Sequence, residues 1–478
     1  MGNLGGRKQL PVEFSPEYEY VVHAERPQHL GRKASALDRS AIHGMLCPPR
    51  NALAAQPGDD IAALMEGCGC NCESEQRREM NFRYGSHAPM RHHMQRQPSE
   101  YTDKVHKVLK RIQDLVRYVA AEPRDTLDQD WSCPGDVLPL DFMLDSKNKI
   151  ANAQFMQGLS ELVQEKLHQD DTLVMVEPPV RVFGDIHGQF RDMLLFFADF
   201  GFPSNNGPVF IFNGDWVDRG RHQLEVVVLI FALKVAFPQK IVLVRGNHED
   251  PEMNVSMGEF GFRQRCIDRL DAKPGEAIFN AVHTAFEWLP LACVIGGQIL
   301  VVHGGIGSGD WSLARVRSTM RPLNHNELVS DPVLWNILWS DPIVDEHRDS
   351  FGVHSSPRDD HARIMKRFGK DITASFCERN GLTMVVRSHQ AFVKGKGYEV
   401  MHDGRLVRVF SARDYEGFQN DASILDIQKS PNGHLVVKPL VLLAMTKEMH
   451  FFKSGPYGSR RRRKTITADQ SSSHCQSQ

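Results

Sequence analysis

Between about residue 150 and residue 443, short apolar runs recur, and each ends in glycine or polar residues. The runs are MVEPPVRVFGD (175–185), VFIFNGD (209–215), IVLVRGN (241–247), ILVVHGG (299–305) and LTMVVRSH (382–389). Branched and aromatic residues in runs of this length, bounded by turn formers, predict strands. Helical patterns fill several of the gaps, and that alternation predicts an α/β domain built on a central sheet. Upstream, YTDKVHKVLKRIQDLVRYVAA (101–121) places Val105, Val108, Leu109, Ile112, Leu115, Val116 and Val119 at helical spacing. This predicts an amphipathic helix that Pro123 stops. A loop is expected to about Asn152, then a second helix over 153–168.

Residues 1–100 carry no sustained period and are rich in Gly, Pro, Arg, His and Met, so they are expected to lack regular structure. The chain therefore divides into a low-complexity extension (1–100), a helix and linker (101–149), a catalytic domain (150–445) and a basic, Ser-rich tail (446–478). Of the 478 residues, 41% are hydrophobic and 24% charged, a soluble globular balance. A net charge of −2 gives no electrostatic reason to expect nucleic acid as a partner. The longest apolar stretch, Leu224–Phe237, is short and interrupted by Glu225 and Lys234, so no transmembrane segment is expected. Residues 1–10 lack the apolar core of a secretory signal, and nine cysteines do not make a dense disulfide framework. The expectation is a reduced, cytoplasmic protein, with the basic tail open to nuclear import.

The strand ends carry the chemistry. Asp185 and His187 stand in GDIHG, Asp215, Asp218 and Arg219 in GDWVDRG, Asn247 and His248 in RGNHE, His303 in HGG and His389 in RSHQ. Ligand sites in open α/β folds form where the carboxyl ends of strands converge. Carboxylate, carbonyl and imidazole together suit manganese, iron or zinc better than the all-oxygen shells of magnesium and calcium. A central aspartate can bridge two such ions, which activate water and clamp phosphoryl oxygens. Arginine adds a bidentate phosphate donor. A histidine beside an aspartate can protonate a leaving alkoxide. Any one of these motifs alone reads more often as ordinary turn chemistry; their succession within one domain is the signal.

GDIHG, GDWVDRG, RGNHE, HGG, LWSDP (338–342) and RSHQ, in this order over roughly residues 150–443, resemble the phosphoprotein phosphatase family of metal-dependent Ser/Thr phosphatases. The resemblance implies a calcineurin-like metallophosphoesterase fold, a central β-sandwich flanked by helices with two metal ions at its rim. Those ions would be manganese, or iron with zinc. It implies Asp185 and His187 on the first metal, Asp215 bridging, and Asn247, His303 and His389 on the second. Arg219 would hold phosphate, His248 with Asp218 would act as general acid, and Tyr415 in FSARDYEG matches an active-site tyrosine. Water activated by the metals would attack phosphorus directly, with no phosphoenzyme. Phosphoproteins would be the substrates, and regulatory subunits are implied as partners. NHED (247–250), FEWLPL (286–291) and GYEVMHDGRLVRVFSA (397–412) resemble the EF-hand-bearing and tetratricopeptide-bearing branches, yet neither an EF-hand loop nor that repeat occurs.

Departures leave specific questions. Counting back from Phe368-Gly369 puts the family's second phosphate-binding arginine at Ala362, so Arg363 is expected to replace it, ahead of Lys366 and Arg367. Two extra residues precede Phe260-Gly261-Phe262, and Arg413-Asp414 stands where the family has Pro-Asn. Ile112-Gln113 with Arg117 begins like an IQ motif, but the later basic part is missing, so calmodulin is not expected. Cys68, Cys70 and Cys72, with His87, His92 and His93, match no standard zinc spacing. Gly2 lacks the Ser or Thr at position 6 that favours myristoylation; Arg460–Lys464 and Ser35 are candidate targeting or kinase sites of low specificity. The competing readings are a metallophosphoesterase acting on dinucleoside polyphosphates or phosphodiesters, which Asp218 in GDWVDRG argues against, and a weakly active scaffold, which the intact ligand set argues against.

Overall fold

The computed structural model describes residues 12–14, 98–122, 126, 128–344, 351–358 and 364–445. Two six-stranded sheets form its centre. One orders Val12–Phe14, Leu435–Leu442, Ala422–Lys429, Val180–Phe183, Val209–Phe212 and Ile241–Leu243 side by side. The other orders Tyr398–Met401, Leu406–Val409, Met384–Arg387, Ile299–Val302, Ala292–Ile295 and Leu173–Val176. A small third sheet joins Asp341–Pro342, Lys366–Phe368 and Val353–Ser355.

Side chains alternate across each strand, and here both faces are apolar because both are covered. Val180, Val182, Val209 and Ile211 face Cys293, Ile295, Ile299 and Val301 between the two sheets. The neighbouring Phe183, Phe210 and Phe212 turn outward and pack against helices. In the second sheet Ala292, Val294, Leu300 and Val302 turn outward onto Leu334, Ile337, Leu338 and Phe376 of another helical layer. The order helix, sheet, sheet, helix is the expected flanked sandwich.

The expected helix spans Pro98–Ala121 and packs on helices Phe190–Phe200 and Gln223–Ala236. Val105, Ile112, Leu115 and Val119 are fully buried in the same core cluster as the first sheet's phenylalanines. Ile112, which begins the IQ-like string, is thus a core residue. The expected loop to Asn152 contains a short helix, Pro139–Leu144, and the next helix starts at Lys149. That start is set by Asn148, whose side chain accepts from the Ile150 and Ala151 amides and caps the helix. Within the extension expected to lack structure, Val12–Phe14 pairs in parallel with Leu435–Val437. The strand Leu435–Leu442 otherwise presents an open edge, and a β-forming Val-Glu-Phe can complete it. The cysteine cluster, the glycine at position 2, the basic tail and Arg363 lie outside the described residues.

The long apolar stretch is the buried helix Gln223–Ala236. Its two charges are satisfied: Glu225 accepts the Leu140 amide, and the Lys234 ammonium pairs with Asp170 at 2.7 Å and donates to two carbonyls. Among the described residues, no helix is long and apolar enough to cross a membrane.

Candidate functional site

The strands Val180–Phe183, Val209–Phe212 and Ile241–Leu243 are parallel, as are Ile299–Val302, Met384–Arg387 and Leu406–Val409. The residues that follow their carboxyl ends meet in one pocket. Asp185, His187, Asp215, Arg219, Asn247, His248, His389 and Tyr415 line it. His303 lies just behind, fully buried, and Asp218 lies behind His248.

Asp215 is the centre. Its Oδ2 stands 3.3 Å from His303 Nε2, 3.6 Å from His187 Nε2 and 4.0 Å from His248 Nε2. Its Oδ1 accepts the His248 amide at 3.0 Å. Backbone carbonyls fix two of the rings: His187 Nδ1 donates to Val217 O and His303 Nδ1 to Asn213 O, each at 2.8 Å. That leaves each Nε2 aimed inward, the arrangement by which outer partners orient metal-binding imidazoles. Asn247 Oδ1 is 2.9 Å from His303 Nε2, and Asp185 Oδ1 accepts the His389 amide at 2.9 Å.

Acceptor atoms thus converge with few donors among them. Burial raises the Asp185 pKa, and the neighbouring Asp215 charge raises it further. Burial also resists the charge on Asp215, but His303 and His248 hold that carboxylate well below its usual range. Burial would lower His303, yet Asp215 lifts it to about 9. A proton held there does the work a cation would do. The donor atoms of His187, Asp215 and His248, and those of Asp215, His303 and His389, lie within 4.8 Å of one another in two buried groups sharing Asp215. The set is thus one that could hold a pair of metal ions, with Asp215 common to both groups.

His248 belongs to the first donor group, but its Nδ1 is committed to Asp218 Oδ2 at 2.6 Å. Burial opposes charging this ring, and the Asp215 and Asp218 carboxylates outweigh it, so its pKa is raised. With Nδ1 engaged by Asp218, the ring has its Nε2 left to face the pocket. Asp218 is itself held by Asn254 Nδ2 at 2.7 Å and the Phe262 amide at 2.7 Å. Asn254 in turn accepts from His283 Nε2 at 2.8 Å.

The backbone here is strained. His187, Asp215, Asp218, Arg219 and His389 all have positive φ, between 46° and 71°. Such non-glycine conformations cost about 1–3 kcal/mol each and persist only where neighbours over-determine them. Glu249 supplies part of that determination, accepting the amides of Asp215, Trp216 and Gly246 at 2.8–2.9 Å. A Cβ on Gly246 would collide with Asp215, so the close approach requires glycine there.

Two features escaped the sequence reading. Glu249 was visible in RGNHE, but its role needs the turn geometry. The second is Arg358, which lines the pocket and donates from Nε to Asp341 Oδ2 at 2.7 Å. Among the described residues, Arg219 and Arg358 are the arginines that line it. Counting back from Phe368-Gly369 did not point to Arg358, which follows the strand Val353–Ser355, and Arg363 lies outside the described residues. Arg367 turns to the Ser355 carbonyl. Tyr415 is buried and stacks on His187, ring centroids 5.3 Å apart.

Residues 178–392 match the calcineurin-like phosphoesterase family. The chain is 38% identical over 279 residues to human serine/threonine-protein phosphatase 5, covering 58% of this chain and 50% of that protein. It is 33% identical over 282 residues to serine/threonine-protein phosphatase PP1-delta of Caenorhabditis elegans, covering 58% of this chain and 85% of that protein. A solved Saccharomyces cerevisiae protein serine/threonine phosphatase, described as similar to human PP5, aligns at a TM-score of 0.53 and 29% identity, over 60% of this chain and 89% of that one. The chain thus spans about half the length of the human relative and most of the nematode one.

Proposed function

The chain belongs to the phosphoprotein phosphatase family of calcineurin-like metallophosphoesterases, and we propose that it hydrolyses phosphoserine and phosphothreonine in proteins. The observation that carries this reading is Asp215 Oδ2 at 3.3–4.0 Å from three imidazoles, in a pocket that two arginines also line. Asp185 and His187 would hold one metal, and Asn247, His303 and His389 the other, with Asp215 shared. Manganese, or iron with zinc, suits this mixture of oxygen and nitrogen donors. Such ions, when bound, polarise phosphoryl oxygens and make water a better nucleophile.

The chain's own residues supply the rest. Arg219 binds the substrate phosphate. Arg358 takes the second cationic role that the sequence assigned to Arg363, because Asp341 anchors it at the pocket wall. His248, protonated and oriented by Asp218, gives its proton to the departing serine or threonine oxygen. Tyr415 closes the wall beside His187.

The cavity of about 100 Å³ is small beside the roughly 300–1,000 Å³ that encloses a drug-sized ligand. That favours a phosphorylated side chain over a dinucleotide. The test is turnover of a phosphoserine peptide beside diadenosine tetraphosphate, with manganese present. Preference for the peptide is expected; preference for the nucleotide would overturn the reading.

A further inference from the structure

Arg219 already has a partner. Its Nη1 donates to Glu416 Oε1 at 2.9 Å, and the two side chains are 33% and 42% exposed. Among the described residues, Arg219 Nε is buried with no hydrogen-bond partner. Both pocket arginines thus pair with a carboxylate of the chain, Arg358 with the buried Asp341 and Arg219 with the half-exposed Glu416.

Glu416 is held there by its backbone. Asp414, Glu416 and Gln419 have φ of 50°, 46° and 54°, and Gly417 has φ of 80°. Asn420 fixes this winding: its side chain accepts the Tyr415 amide at 3.0 Å and donates to the Ala412 and Asp421 carbonyls, while its carbonyl accepts the Asp414 amide. Behind it, the Arg413 guanidinium is buried on Asp192 at 2.8 Å. The backbone therefore fixes where the Glu416 side chain starts, next to the buried Tyr415 and within reach of Arg219.

We propose that Glu416 is a substrate-selecting residue: it competes with the incoming phosphate for Arg219 and so favours phosphopeptides that bring a Lys or Arg beside the phosphorylated residue. The proposal rests on Arg219 being a phosphate ligand. A guanidinium shared with a carboxylate binds a phosphate dianion less tightly than a free one. When phosphate takes Arg219, Glu416 loses its cation and stands charged at the rim. A basic residue of the substrate restores that pairing; an acidic or neutral one does not. An ion pair open to solvent is a modest interaction, so the effect is about two- to fivefold, not orders of magnitude.

The experiment compares the full-length wild type, Glu416→Gln and Arg219→Ala, each loaded with manganese. Two readouts are taken: inhibition by inorganic phosphate, and the kcat/KM ratio for two phosphoserine peptides differing only in Arg or Ala beside the phosphoserine. Glu416→Gln is expected to tighten phosphate inhibition about two- to fivefold and to shrink the Arg-over-Ala preference. Unchanged or weaker phosphate inhibition, or an unaltered peptide ratio, overturns the proposal. Arg219→Ala separates the two levels. If it weakens phosphate inhibition while Glu416→Gln does nothing, the arginine reading stands and the Glu416 proposal falls. If it leaves phosphate inhibition unchanged, both fall.

Discussion

The floor and the rim of the pocket are built by opposite means. On the floor, Asp185, His187, Asp215, Asn247, His303 and His389 are buried, and each follows a strand end. Positive-φ backbone at three of them is locked by buried hydrogen bonds, above all those to Glu249. At the rim, Arg219, Arg358 and Glu416 are one-third or more exposed and come from connecting segments. Arg219 and Glu416 pair with each other in the open, and Arg358 reaches back to the buried Asp341. On the proposed reading, the floor sets the reaction and the rim sets which phosphorylated group reaches it.

That division orders the expected effects. His248→Ala removes the proton donor and is expected to lower kcat by about 10²–10⁴-fold with metal content intact. The loss should be smallest on aryl phosphates, whose leaving group needs little protonation. Equal losses on aryl and alkyl substrates would move His248 out of the acid role. Arg358→Ala removes a charged donor from the wall and is expected to reduce kcat/KM roughly tenfold, mainly through KM. An effect within about twofold would return the second cationic role to Arg363, tested by the same substitution there.

A pair away from both regions gives the smallest expected effect. His222 Nδ1 lies 2.9 Å from Asp128 Oδ2, both buried. Burial opposes charge on His222, but Asp128 raises its pKa above the ordinary value. Because the folded pKa exceeds the unfolded one, the stabilisation is complete below pH of about 6.5 and is lost as pH rises through the raised value. The Tm gap between wild type and His222→Gln should be roughly 1–2 °C in acid, the shift that about 1 kcal/mol gives at this size, and should narrow with rising pH. A gap that widens with pH would contradict the assignment.

The same contrast explains what the sequence disclosed. Floor residues were legible because strand ends place them: the run VFIFNGD announces both a strand and the aspartate that leaves it. Sheet pairing then does the converging, and no loop length has to be guessed. At the rim, Arg219 was legible in GDWVDRG, but Arg358 and Glu416 were not. Arg358 precedes the strand Lys366–Phe368 in a connection whose length has no periodic constraint, so counting back to Ala362 and its neighbour Arg363 did not single it out. Glu416 stood in plain view beside Tyr415, but its pairing with Arg219 depends on a run of left-handed residues that composition does not announce. The helix Pro98–Ala121 was legible as amphipathic, and its apolar face turned out to pack into the catalytic core, because amphipathicity says that a face is covered and not by what.

The central claim is that Asp215 is shared by two metal ions on the pocket floor. Its most direct test is elemental analysis of purified wild type and Asp215→Asn after equilibration with manganese and removal of free metal. The account predicts two ions per chain in the wild type and loss of both in the variant, since the amide lacks the charge that bridges them. Two ions retained in Asp215→Asn, with turnover unimpaired, would contradict it.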